Sequence, residues 1–283
     1  MAILRQWHVA WCWCNQLSLD AVMIALAWQS IFTLGFVDRW PSLAESAALA
    51  GSVWLIYTSD RLLDARHLDK GRPHTQRHRF HHDWQMLLTI VWTIVLSLVA
   101  FLVLSYLPMR LLRTGLMVAT SVLVYGGCVH FIESAVVPKE FLVGSIFAAG
   151  VSLIAWTHRP SIELLWATVI AATVFMMNCR MVAMAESVVD NAQSFQSRTL
   201  NALDALITSL WAPAMLVVFT LVALLPPLVA ASLIVATVSL PYGRRWLQAS
   251  HAEPLDDCVT TTPMGAWADI TLVWVPILML ICR

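Results

Sequence analysis

Stretches of mostly apolar residues, each long enough to cross a bilayer, recur along this whole sequence, and no other feature restricts its fold so strongly. A hydrocarbon core about 30 Å thick needs about 20 such residues per helix. Segments of this kind run approximately over 16–36, 42–57, 84–107, 111–131, 140–156, 163–185, 205–224, 227–241 and 264–282, separated by charged or Pro-bearing breaks. In lipid every backbone polar group must be bonded internally, which leaves helices as the economical solution for spans of this length. Composition agrees: 59% of residues are hydrophobic and 12% charged, and the mean hydropathy is +0.74, outside the range of ordinary soluble domains. The expected fold class is therefore an all-α integral membrane protein with about nine transmembrane helices around a central cavity. It is read as one polytopic domain over 1–283, because no linker or low-complexity segment divides the chain.

Orientation follows from Lys and Arg, since basic loops stay on the cytoplasmic side. With the N-terminus inside, that side holds Arg5, the basic residues from Arg61 to Arg79, Lys139, Arg180, Arg198, Arg244 and Arg245. The opposite side holds only Arg39, Arg110, Arg113, Arg159 and Arg283. The expected location is a cell membrane, bacterial inner membrane by type, with active-site loops in the cytoplasm. No small-residue cleavage site follows an early apolar core, so no removable signal peptide is expected. The formal net charge is zero, and no soluble basic domain exists to bind nucleic acid. Six cysteines are scattered without disulfide or zinc spacing and read as small buried apolar residues.

Chemistry is sought where ionisable residues interrupt the apolar pattern, because a carboxylate near hydrocarbon costs about 2.5–3.5 kcal/mol on insertion scales. Two places qualify. Tyr57-Thr58-Ser59-Asp60-Arg61-Leu62-Leu63-Asp64-Ala65-Arg66 ends the second span, and Asn178 followed by Glu186-Ser187-Val188-Val189-Asp190 ends the sixth. Within each, two acids spaced i, i+4 stack on one helix face with Cβ atoms about 5–6 Å apart. Like charges so placed repel unless a cation intervenes, and hard oxygen ligands of this kind suit Mg²⁺, usually held by one or two carboxylates plus substrate phosphate. An even number of crossings separates the two pairs, so both reach the same face. The bland reading is a pair of solvated helix ends.

These segments resemble the UbiA superfamily of intramembrane prenyltransferases, nine-helix proteins with acidic motifs after helices two and six. The resemblance covers most of the chain. Asp60-Arg61-Leu62-Leu63-Asp64 is similar to the second half of the family's first motif, and Glu186 with Asp190 stands where its second motif belongs. Asn178 occupies a polar position inside helix six, as in family members. Pro138-Lys139-Glu140-Phe141-Leu142-Val143-Gly144, leading to Phe147-Ala148-Ala149-Gly150, is similar to the entry to helix five, and Trp267-Ala268-Asp269-Ile270 resembles the start of the last helix. The chain has Ile56-Tyr57 where the family has Asn-Asp, and Gln193 and Gln196 near the second motif.

The resemblance implies Mg²⁺-dependent transfer of a prenyl group from a prenyl diphosphate to a hydrophobic aromatic or lipid acceptor, an alkyl-transferase reaction within the membrane. Asp60, Asp64, Glu186 and Asp190 would be the catalytic, metal-holding acids. Arg61, Arg66, Arg72 and Lys139 would neutralise diphosphate. Tyr125, with Tyr57, would shield the allylic cation with its ring face, and Asn178 would complete the substrate site. Tyr side chains also gather at membrane interfaces as anchors.

Rival classes start from other residues. His74-Thr75-Gln76-Arg77-His78-Arg79-Phe80-His81-His82 contains the HxxxH and HxxHH spacings of membrane di-iron oxidases, where imidazole suits iron. His8, His67, His130, His158 and His251 make no second box, so a polar basic loop is the simpler reading. Asp64-Ala65-Arg66 reproduces a fragment of the motif of phospholipid-head-group transferases. A non-catalytic lipid-binding homologue or a transporter is the non-enzyme alternative; the acids recur in the same orientation, unlike the inverted repeats common in transporters. The loops 65–83 and 191–204 are expected to cap the cavity, and Glu253, Asp256 and Asp257 to face solvent.

Overall fold

The computed structural model describes residues 13–66, 68–69, 71–72, 74–131, 139–193, 225–248, 258–259 and 263–282; for 128–131, 185–193, 242–248, 258–259 and 263–265 it describes the backbone alone. Helices occupy Leu19–Val37 (α1), Leu43–Ala65 (α2), Gln76–Asp83 (α3), Gln85–Tyr106 (α4), Met109–Phe131 (α5), Lys139–His158 (α6), Ile162–Gln193 (α7), Pro227–Gln248 (α8) and Pro263–Ile281 (α9). The sole extended structure among the described residues is a two-residue parallel pairing of His74–Thr75 (β1) with Cys258–Val259 (β2). The all-α expectation is met.

Every expected apolar segment within the described residues is helical. The number that meets the requirements for crossing a membrane is smaller than expected. By length and composition, four described helical stretches qualify: Leu19–Val37, Gln85–Tyr106, Lys139–His158 and Ile162–Met184. The expectation of about nine is corrected to these four, for identifiable reasons. α2 carries Glu45, Asp60, Arg61 and Asp64 along its length, and α5 opens with Arg110 and Arg113. In α8 and α9 the apolar stretches with described side chains, Pro227–Pro241 and Ala266–Ile281, are each under 18 residues. The expected span at 205–224 lies outside the described residues, as does the loop 194–204.

Helix boundaries follow local chemistry. Ser42 caps α2 by accepting from the Glu45 N–H at 3.3 Å while the Glu45 carboxylate accepts from the Ser42 N–H at 2.7 Å, the reciprocal arrangement that satisfies two orphan donors. Arg39 grips the same carboxylate through both terminal nitrogens at 2.7 and 2.8 Å. Pro227 and Pro263 open α8 and α9 at the first helical position, where a missing N–H costs nothing.

The core is organised around α1. Trp28, Ile31 and Phe32 are fully buried and belong to one cluster with Val151 and Ala155 of α6, Leu164, Ala171 and Val174 of α7, Leu233 of α8 and Leu272 of α9. The indole N–H of Trp28 donates to the Leu272 carbonyl at 3.0 Å, pinning α1 to α9 with the bond a buried indole needs. α6 and α7 approach most closely at Gly144: a Cβ there would fall 2.7 Å from the Ala172 carbonyl oxygen and the Met176 nitrogen. Small residues at such points let backbones meet where lipid offers no hydrophobic drive between helices.

α4 packs on α2 and α5 on α6, at the margins of the bundle. Their outer faces expose Met86, Leu98, Phe101, Leu104, Leu116, Met117 and Leu123. Apolar faces this extensive are characteristic of surfaces that meet lipid or another protein. α7 has 32 residues, about 48 Å at 1.5 Å per residue, so it outlasts a hydrocarbon core of about 30 Å. Its last turns carry Glu186 and Asp190.

Candidate functional site

One end of the bundle gathers most of the expected site residues, and the contacts there show which helix ends meet. α1 and α2 form an antiparallel pair in which Arg61, near the end of α2, donates to the Asn15 carbonyl and, at 2.9 Å, to the Ser18 hydroxyl just before α1. Ser18 has a left-handed backbone, φ 60°, uncommon for a residue with a side chain. Lys139 and Glu140, consecutive at the start of α6, reach in two directions. The Lys139 Nζ lies 3.5 Å from Asp60 Oδ2 on α2, and Glu140 Oε1 lies 3.5 Å from Arg180 Nη1 on α7. Two turns before the second acid pair, Asn178 Nδ2 donates to Asp269 Oδ1 on α9 at 3.1 Å. Ends of α1, α2, α6, α7 and α9 are thus bonded into one polar layer.

Asp60 and Asp64 stand one turn apart on α2, and Lys139 and Tyr125 both lie within electrostatic reach of the two carboxylates. The repulsion expected between stacked acids is thus relieved at Asp60 by an ammonium from another helix. Tyr125, from α5, places its hydroxyl in this region buried and without a hydrogen-bond partner among the described residues. Cys179 and Tyr57 lie between this group and the Asn178–Asp269 pair, Cys179 near Lys139, Asp269 and Glu140, and Tyr57 near Cys179, Asp20 and Asp269.

The expected site residues are therefore divided. Asp60, Asp64, Lys139 and Tyr125 come together. Asn178 lies in the same layer, and its partner is Asp269. Arg61 is buried and turned toward the start of α1, where it ties two helices together. Arg66 is exposed at the end of α2, its backbone N–H bonded to the Leu63 carbonyl at 3.2 Å. Arg72 pairs at 3.1 Å with Asp69, both more than half exposed. Glu186 and Asp190 lie on helical backbone of α7, and their side chains lie outside the described residues.

The histidine segment folds back on the site. Thr75 caps α3 by accepting from the His78 N–H at 3.3 Å, and its hydroxyl also meets His78 Nδ1 at 3.0 Å. His81 Nδ1 meets the Arg77 carbonyl at 2.9 Å and His74 Nδ1 the Arg72 carbonyl at 2.9 Å. Burial lowers the pKa of His78 to about 3 and of His81 to about 4, with Arg77 and Arg61 adding to the effect. The His78 and His81 rings are held neutral at physiological pH, and their hydrogen bonds to Thr75 and Arg77 fix the local fold of β1 and α3. Among the described residues no three His, Cys, Asp or Glu side chains converge as a metal site.

Asp60 and Asp64 nevertheless suit Mg²⁺ chemically. They are hard oxygen donors, and that ion commonly takes one or two carboxylates and completes its shell with phosphate and water.

Four residues of the layer were not singled out as site candidates by sequence reasoning: Asp20, Glu140, Arg180 and Asp269. Asp20 is buried and accepts from Asn15 Nδ2 at 2.7 Å and from the Ala21 N–H at 2.9 Å. The signal that would have found Asp20 and Asp269 is a single acid beside an apolar run, which is costly unless paired. Comparison with known proteins finds no matching family model, no matching curated sequence and no matching solved structure.

Proposed function

We propose that this chain transfers a prenyl group from a prenyl diphosphate to a hydrophobic acceptor, aromatic or lipid, at the polar end of the bundle within a membrane. The observation that carries the reading is the meeting of Asp60 and Asp64 with Lys139 and Tyr125, beside an α7 tied to α6 through Arg180 and Glu140. Ionising the carbon–oxygen bond of an allylic diphosphate leaves a carbocation and a diphosphate anion. A site for that step needs cationic stabilisation of the leaving group and polarisable, water-excluding walls for the cation.

Lys139 has the charge for the first task and sits on the acids that would otherwise repel the diphosphate. Tyr125 has the ring for the second and a buried hydroxyl with no hydrogen-bond partner among the described residues. Asp60 and Asp64 would hold Mg²⁺ together with Glu186 and Asp190 of α7, and the ion would supply charge neutralisation to the leaving diphosphate. The apolar bundle above the polar layer suits an isoprenoid tail. Asp64→Asn and Asp190→Asn are expected to abolish transfer; unchanged transfer in both would remove this reading.

A second reading, a lipid-diphosphate binder without turnover, draws on two observations: Asp60 already has a protein cation at 3.5 Å, and Ile56-Tyr57 precedes it where the resembled family has further ligands. Retained affinity for prenyl diphosphate without product would support it.

A further inference from the structure

Asn178 presents an anomaly inside the bundle. Its side chain is 8% exposed, its Nδ2 donates to Asp269 Oδ1 at 3.1 Å, and its Oδ1 has no hydrogen-bond partner among the described residues. A buried amide oxygen without a donor is rare in folded proteins. Asn178 lies beside an acid pair, Asp269 and Asp20, both buried and close enough to interact electrostatically.

A carboxylate accepts hydrogen bonds and donates none; a carboxylic acid also donates one. An acid and a primary amide present matching edges, N–H to C=O on one side and O–H to C=O on the other. One of these two bonds is already present between Asn178 and Asp269. A proton on Asp269 Oδ2 supplies the donor that the second requires. Exchanging the nitrogen and oxygen of the amide does not remove the need, because it would set a bare amide oxygen against a bare carboxylate oxygen. We infer that Asp269 is a proton-binding site inside the bundle, its neutral carboxyl closed into a two-hydrogen-bond ring with the Asn178 amide, while neighbouring Asp20 carries the negative charge.

The surroundings divide the two acids accordingly. Asp20 lies in the first turn of α1, where helix N–H groups favour an anion, and it already accepts from Asn15 and from the Ala21 N–H. Around Asp269 stand Asp20 of α1, Tyr57 and Arg61 of α2, Arg77 of α3, and Cys179 of α7 beside Asn178. Arg61 and Arg77 favour a carboxylate there; Asp20 and burial oppose one. Arg61 directs hydrogen bonds to Asn15 and Ser18, on the Asp20 side of the pair. Two adjacent carboxyls in unequal environments settle into one acid and one base. The inference stands apart from prenyl transfer and needs no substrate.

The test is infrared spectroscopy of the detergent-purified full chain at neutral pH in H₂O and D₂O. A protonated-carboxyl C=O band that shifts on deuteration is expected in the unmodified protein. Asp269→Asn should lose it, and Asp20→Asn, which removes the charge that opposes ionisation of Asp269, should weaken it and confine it to lower pH. Asn178→Ala should retain the band at a displaced frequency, since one partner of the ring is gone, and this variant keeps the test decisive if Asp269→Asn does not fold. Absence of the band, its survival in Asp269→Asn, an undiminished band in Asp20→Asn, or an unmoved band in Asn178→Ala would each overturn the inference.

Discussion

The ammonium of Lys139, on α6, lies 3.5 Å from the carboxylate of Asp60, on α2. Both side chains are about one-third exposed, 36% and 34%, so the pair itself contributes at most about 1 kcal/mol to stability. Its greater consequence is positional, because it sets a cation above two stacked acids. Lys139→Gln is expected to leave thermal stability nearly unchanged while lowering diphosphate release by roughly 10²–10³-fold, the usual loss on removing one preorganised charge stabiliser. Lys139→Arg should recover part of it. Turnover and melting temperature measured on the same preparations distinguish this from a folding defect.

Arg61 makes the opposite prediction. Its guanidinium is buried and bonded to Asn15 and Ser18, so Arg61→Gln should act on the fold. Leaving buried acceptors without their donor costs about 1–3 kcal/mol. A lowered unfolding temperature, with turnover per folded molecule largely kept, is the expected result. A pure loss of substrate affinity would return Arg61 to the diphosphate site.

Gly144 and Gly126 form a matched pair on neighbouring helices. A Cβ at Gly144 meets the α7 backbone at 2.7 Å, whereas one at Gly126 meets nothing within 4 Å. Gly144→Ala should destabilise by about 1–3 kcal/mol through overpacking. Gly126→Ala should be neutral or stabilise by roughly 0.5–1 kcal/mol through helix propensity. Denaturation of both variants in one detergent checks the contrast.

Acid should loosen the histidine segment. His78 and His81 are held neutral in the fold, with pKa values of about 3 and 4 against an ordinary 6.5. Between those values the unfolded chain binds the protons and the folded chain does not, so stability is fully present above about pH 6.5 and declines as pH falls toward 4 and then 3. At pH 5 the loss is on the order of 1–2 kcal/mol for each ring. Thermal unfolding at pH 7.5 and pH 5 should show this drop, and His78→Gln should reduce it.

Helix positions were legible in the sequence because unbroken apolar runs admit little else. Expected segments 84–107 and 140–156 match α4 and α6 to within two residues at each end. The membrane count was less legible, since α2 combines a helical pattern with four charged residues, and apolar content alone does not say which helices span. The pairing of Asp60 with Asp64 followed from i, i+4 spacing. The arrival of Lys139 from α6 depended on packing that no spacing encodes. Arg61 illustrates the limit most clearly, since a basic residue one position from an acid reads as a substrate ligand until the fold turns it toward Ser18. Asp20 and Asp269 were readable by the cost of lone intramembrane acids, but their closeness joins residues from opposite ends of the chain.

Release of diphosphate from labelled prenyl diphosphates by the detergent-purified chain, with and without Mg²⁺, tests the central claim most directly. The account predicts release that requires Mg²⁺ and is lost in Asp60→Asn. Neither release nor binding of any prenyl diphosphate, with the protein folded and Mg²⁺ present, would contradict it.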